Sequence, residues 1–197
     1  MTSLRLPHYF SLGIRGFVGG LLWLGPPTTL LVLGHQYPLL GWLGGFALVG
    51  VVMMLPLLQV QMAADNRFAS MFAVSSVRKA YTHDPLMCGM AITATLVLAV
   101  PLYLMKIELV PREAAWLPSL LFVLFVYPAR IVSGWALARA RKQPAPRHWT
   151  LRWGGRALLL PIAAGYVAIV FSTQYLSWYG VWSLYEQHAF LVPVPFW

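Results

Sequence analysis

The sequence predicts an all-α fold, a polytopic membrane helix bundle of about five transmembrane helices plus an interfacial amphipathic helix. Three observations carry that expectation. Charged residues make up 10% of the 197, against roughly 25% in a soluble domain, too few to cover a water-facing globule. Hydrophobic residues make up 59%, gathered into stretches near the roughly 20 residues that a helix needs to cross about 30 Å of hydrocarbon. Lysine and arginine cluster between alternate stretches.

The first span is expected at 14–33, with Arg15 at its edge and a kink or break at Gly25-Pro26-Pro27, because proline removes a backbone donor and clashes with the preceding turn. Although Arg5 and Arg15 precede an apolar run, no small-residue cleavage site follows it, so the segment reads as an uncleaved span that also targets the chain. A short uncharged turn, 34–40, leads to a second span at 39–62 with Pro56 inside. The mixed segment 65–83 carries Phe68, Met71, Phe72 and Val77 near helical spacing, among Arg67, Arg78 and Lys79. It reads as a helix lying on the membrane surface, or as a continuation of the second span into water. The third span is expected at 85–105, and the loop 106–115 holds two cations and two anions that cancel. A fourth span at 116–138 contains Arg130. The longest polar stretch, 139–156, reads as a loop, and a fifth span follows at 157–179. The tail is aromatic and proline-rich. No internal repeat or linker composition appears, so residues 1–197 read as a single integral membrane domain.

Eleven of the fourteen lysines and arginines fall on one side of these spans, whereas only Lys106 and Arg112 fall on the other and Arg130 lies inside the fourth. By the rule that basic loops stay in the cytoplasm, the N-terminus is cytoplasmic, and five crossings put the C-terminus outside. A re-entrant fifth stretch would leave the tail inside. The net charge of +9 then reflects basic loops against a cytoplasmic face rich in anionic lipid, and not a nucleic-acid partner. Cys88 is the single cysteine, which excludes an intramolecular disulfide.

Arg130 is the strongest candidate for a functional residue. A charge deep in a membrane helix costs about 2.5–3.5 kcal/mol on insertion scales, and helical rise puts Arg130 roughly 12 Å from the cytoplasmic end of its span. It can snorkel toward lipid phosphates, pair with Asp65, or line a ligand or ion pathway. Gln59, Gln61, Asp65, Asn66 and Arg67 form the densest polar cluster at a span end, which either coordinates a polar headgroup or ends a helix in water. In the tail, Glu186 and His188 stand close enough in sequence to share a metal or exchange a proton, but no third ligand accompanies them. Their aromatic neighbours Tyr175, Trp178, Tyr179, Trp182, Phe190, Phe196 and Trp197 read as an interfacial belt. His83-Asp84 reads as a helix start before Pro85. The histidines fall in loops or at span ends, which argues against a haem held inside the bundle. No metal site and no cofactor are expected. The motifs Gly16-x-x-x-Gly20 and Gly41-x-x-x-Gly45 permit close helix approach, within the bundle or across a dimer. Walker, HExxH and GxSxG patterns are absent from the sequence.

The stretches Leu55-Pro56-Leu57-Leu58-Gln59, Ala64-Asp65-Asn66-Arg67-Phe68, Pro111-Arg112-Glu113-Ala114-Ala115-Trp116, Pro128-Ala129-Arg130 and Trp178-Tyr179-Gly180-Val181-Trp182 resemble a family of uncharacterised bacterial multi-pass membrane proteins. The resemblance implies a bacterial inner-membrane location. It implies no activity, cofactor or site residue.

The leading functional expectation is a non-enzymatic scaffold or accessory subunit of a membrane complex. Its partners would be the bilayer, with anionic lipids at the cytoplasmic face, and membrane proteins or further copies of the chain. One alternative is a small-molecule or lipid transporter with a polar site near Arg130. A second is a membrane enzyme with an outer-face site at Glu186 and His188.

Overall fold

A computed structural model describes residues 6–104, 117–177, 179–185 and 190. The described chain is all-α. Five long helices build the bundle: α1 (Leu6–Leu33), α2 (Pro38–Asp65), α4 (Pro85–Leu104), α5 (Leu117–Lys142) and α6 (Trp149–Leu176). A 3-10 turn (Phe68–Phe72) and a short helix α3 (Val74–His83) link α2 to α4, and a second 3-10 turn (Gly180–Tyr185) follows α6. Among the described residues α1, α2 and α6 are each long and apolar enough to cross a membrane, and α3 with α4 makes a fourth candidate bent by 116°.

The long helices alternate in direction. The N-terminal ends of α1, α4 and α6 therefore meet the C-terminal ends of α2 and α5. Helix α2 is central and touches α1, α4, α5 and α6. Its run Leu55, Pro56, Leu57, Leu58 and Gln59 is buried on every side, as expected of a helix enclosed by others. Around it pack Met71, Ile92, Leu96, Val170 and Leu184, each almost fully buried. Trp42, Phe46, Leu124 and Leu158 point outward. So much outward apolar surface suits lipid rather than water.

Three expectations need correction. Helix α1 runs unbroken through Pro26 and Pro27. Two threonines follow the prolines: the Thr28 hydroxyl donates to the Leu24 carbonyl at 2.7 Å and the Thr29 hydroxyl to the Gly25 carbonyl at 2.8 Å. Such back-bonds supply polar contacts beside the backbone bonds that proline removes. Most of 139–156 is helix rather than loop. Helix α5 continues to Lys142 and α6 already begins at Trp149, and neighbours at the bundle end hold Arg139, Arg141 and Arg156. Phe190 is buried against the core rather than set in an aromatic belt. Tyr175, Tyr179 and Trp182 do lie exposed.

The α1–α2 hairpin depends on glycine. A Cβ on Gly34 would lie 2.3 Å from the Gly41 Cα, and one on Gly44 would lie 2.6 Å from the Leu31 nitrogen and 2.8 Å from the Pro27 carbonyl oxygen. The close approach thus uses Gly34, Gly41 and Gly44 within one chain. Gly16 meets only the Met62 methyl, at 3.7 Å.

The segment after α2 is separate from it. Asn66 ends α2 in the left-handed region with φ 50°, a conformation asparagine tolerates at a helix C-terminus. The Met71 side chain packs over Gly19, and the Trp23 indole N–H donates to the Met71 carbonyl at 3.0 Å. Helix α3 buries Val77, Ala80 and Tyr81 and exposes Arg78 and Lys79, the pattern expected of a surface helix. At the bend, Asp84 accepts a hydrogen bond from the Met87 backbone N–H at 3.4 Å, so His83-Asp84 does mark a helix start. Proline at the first position of α4 suits it, since its missing N–H would have no partner there.

Candidate functional site

Polar groups gather in two places, one inside the bundle and one at its basic end. The inner group begins with Gln59 on α2, which is buried. A buried amide needs partners for both its oxygen and its nitrogen. The Arg130 guanidinium on α5 donates to the Gln59 Oε1, and the Gln59 Nε2 donates to the Phe190 carbonyl at 3.0 Å. The Phe190 ring meets Tyr166 of α6 edge-on, with centroids 6.2 Å apart. One amide therefore ties α2 to α5 and to the segment after α6.

Next to it, Thr95 of α4 and Ser133 of α5 are buried with their hydroxyl oxygens 3.3 Å apart. Each hydroxyl also donates to a carbonyl one turn back on its own helix, Ala91 and Ala129 respectively, at 2.8 Å. A cavity of about 10 Å³ lies between Arg130, Thr95, Ala99 and Phe125. That is the space of about one water.

The pairing of Arg130 with Asp65 is corrected. Asp65 instead holds Arg141, with Oδ1 to Nη2 at 3.0 Å. Asp65 ends α2, about six residues beyond Gln59, so a helical rise of 1.5 Å per residue separates the two levels by roughly 9 Å. Asp65, Asn66 and Arg67 are exposed at the bundle end. The Asn66 carbonyl takes a long contact of 3.5 Å from Arg15. Of the predicted cluster, only Gln59 is brought to Arg130. Glu186 and His188 lie outside the described residues.

The basic end is built from several such contacts. Buried Asp84 pairs with the Arg139 Nε at 2.9 Å. The Arg147 backbone N–H donates to the Thr82 carbonyl at 3.0 Å, and the Arg156 guanidinium lies over the Tyr81 ring at 5.7 Å. Between α3 and the end of α5 a cleft of about 160 Å³ opens, lined by Ser76, Lys79, His83, Leu137, Arg141 and Gln143.

Sequence reasoning overlooks both the Thr95–Ser133 contact and this cleft. A usable signal for the cleft exists, because Lys79 and His83 stand four apart on α3 and so share a face. The Thr95–Ser133 contact depends on how α4 docks on α5, and no spacing encodes that. Among the described residues, no three His, Cys, Asp or Glu side chains gather as a metal site would require.

Compared with known proteins, the chain matches no family model, and no similar curated protein or solved structure is found. The resemblance to uncharacterised bacterial membrane proteins gains no support from these comparisons.

Proposed function

We propose that the chain is a non-enzymatic scaffold or accessory subunit of a membrane complex, seated with its basic end and N-terminus in the cytoplasm. The observation that supports this reading is the use made of the Arg130 charge. Gln59 occupies the guanidinium, and Gln59 in turn holds the Phe190 carbonyl. An intramembrane arginine tied to a neighbouring amide suits a structural fastening of helices better than a transport path. The cavity beside it has room for about one water, far below the roughly 300–1,000 Å³ of small-molecule pockets. The orientation is supported by the charges around the basic end, where Arg139, Arg141 and Arg156 gather, because basic segments remain on the cytoplasmic side. A bacterial inner membrane is the setting we propose.

Purification in mild detergent with mass measurement by light scattering tests the scaffold reading. The expected result is a species larger than one chain, either a stoichiometric complex or an oligomer, which survives simultaneous replacement of Gln59 by Leu and Arg130 by Met. A wild-type monomer without partner would overturn it. Uptake of a solute by proteoliposomes that vanishes with Arg130→Met would replace it with the transport reading.

A further inference from the structure

The cleft at the basic end has the makings of a binding site that the scaffold reading does not use. Its polar side chains come from two elements. Helix α3 supplies Ser76, Lys79 and His83 on one face, and the end of α5 supplies Arg141 and Gln143. Lys79 is exposed, and its ammonium has no partner among the described residues. The His83 Nδ1 donates to the Lys79 carbonyl oxygen at 2.8 Å, which makes Nε2 of the neutral ring an acceptor, so His83 borders the cleft without serving as a donor to an anion. Arg141 gives Nη2 to Asp65, and a guanidinium keeps further N–H donors beyond one such contact. No Asp or Glu lines the cleft. Two cations beside a hydroxyl and an amide, with no carboxylate in the lining, suit a compact anion with several oxygens.

The surroundings select the source of that anion. On a face of α5 turned away from Leu137 and Ala140 of the cleft, Trp135, Ile131 and Tyr127 are exposed at four-residue intervals. The strip ends outward at Arg139, whose guanidinium lies 5.9 Å from the centre of the Trp135 ring. Trp149 and Trp153 are exposed at the start of α6, at the same end of the bundle. Exposed tryptophans beside cations mark the headgroup level of a membrane protein. At 160 Å³ the cleft takes a headgroup but not the chains attached to it.

We propose that this cleft binds the phosphate of an anionic phospholipid, with Lys79 and Arg141 as the charged contacts and Ser76 and Gln143 as neutral donors. The site rests on the membrane reading alone. It requires neither the scaffold role nor a particular leaflet.

Native mass spectrometry of the full chain released from non-ionic detergent tests it, with phosphatidylglycerol, phosphatidylcholine or inorganic phosphate added. The variants are Lys79→Glu, Lys79→Gln and Lys142→Glu. The last makes the same charge change as the first, at a side chain outside the cleft. Wild type should retain one phosphatidylglycerol per chain, in preference to phosphatidylcholine. Lys79→Glu should weaken retention by roughly thirtyfold, as expected for reversing one charge at a lipid surface, and Lys79→Gln by roughly fivefold. Lys142→Glu should change it by less than about threefold. Should Lys79→Glu fail to fold, Lys79→Gln carries the test. Equal losses in the Lys79 and Lys142 variants would reduce the effect to diffuse attraction and overturn the site. Equal retention of phosphatidylcholine, or displacement of the lipid by millimolar inorganic phosphate, would also overturn it. A chain that stays dispersed as a monomer without detergent would instead defeat the membrane reading on which the site rests.

Discussion

Replacing Gln59 by leucine is the most revealing single change, because it should harm the bundle more than deleting the charge it serves. Gln59→Leu removes the acceptor of the Arg130 guanidinium and the donor to the Phe190 carbonyl. A hydrogen bond to a charged group contributes about 1.5–3 kcal/mol, and an orphaned buried carbonyl costs about 1–3 kcal/mol. Arg130 recovers part of its loss by reaching toward the headgroups, so a net destabilisation of about 3 kcal/mol is expected. Arg130→Met loses the same charge-assisted bond and leaves the buried Gln59 Oε1 without its donor, but on the proposed membrane placement of α5 it also removes a charge that costs about 2.5–3.5 kcal/mol to insert. These effects offset one another in large part, and a loss of about 1–2 kcal/mol is expected. In the double variant only the Phe190 carbonyl is left wanting. It should be no less stable than Gln59→Leu alone, with a coupling of about 1–2 kcal/mol between the sites, above the average of about 0.6 kcal/mol for interhelical bonds in membranes. Thermal unfolding in detergent, followed by circular dichroism, reads this out. At about 2–4 °C per kcal/mol for a chain of this size, Gln59→Leu should melt roughly 6–12 °C below wild type. Additive losses, or a larger loss for Arg130→Met than for Gln59→Leu, would refute the reasoning.

Four further substitutions probe the packing and the bend. Gly44→Ala puts a Cβ against the backbone of Leu31 and Pro27 and should cost about 1–3 kcal/mol by forcing α1 away from α2. Gly50→Ala, where a Cβ meets nothing within 4 Å, should be neutral or add up to about 1 kcal/mol; the difference between their melting temperatures is the measurement. Asp84→Ala loses both its contact with the Met87 N–H and the Arg139 pair, and about 1–2 kcal/mol is expected, mostly from the cap. Asp84→Asn keeps an oxygen for the N–H and loses only attraction to a half-exposed arginine. Denaturant titration should therefore find it within about 1 kcal/mol of wild type.

The helix class and the side on which charge collects can be read from residue types alone, since span length and the placement of lysine and arginine follow directly from the thickness and polarity of a bilayer. Element boundaries are harder wherever polar residues belong to a helix. Arg139, Arg141, Arg152 and Arg156 look like loop residues when counted for hydropathy. They are helical, and Asp84, Asp65 and Tyr81 lie within reach of three of them. Pro26 and Pro27 look like a break because proline's local effect is large, yet the helix continues through both. For the inner group, Arg130 and Gln59 stand out as costly polar residues. Their pairing does not, because it depends on the rotation of α5 against α2. The pairing with Asp65 fails for the same reason, since a shared membrane face does not fix depth along the helix. Phe190 reads like its aromatic neighbours, and nothing in its composition distinguishes a ring that packs inside from one that rests at an interface.

A bundle embedded in lipid underlies these readings, and the proposed function adds that its basic end faces the cytoplasm. Single cysteines placed at Gln143 and at Gln36, in a Cys88→Ser background, put one thiol at each end of the bundle. A membrane-impermeant maleimide should label Gln36→Cys in intact cells and Gln143→Cys only after the membrane is permeabilised. Labelling of Gln143→Cys in intact cells with protection of Gln36→Cys would reverse the orientation, and equal labelling of both in intact cells would contradict the embedded bundle itself.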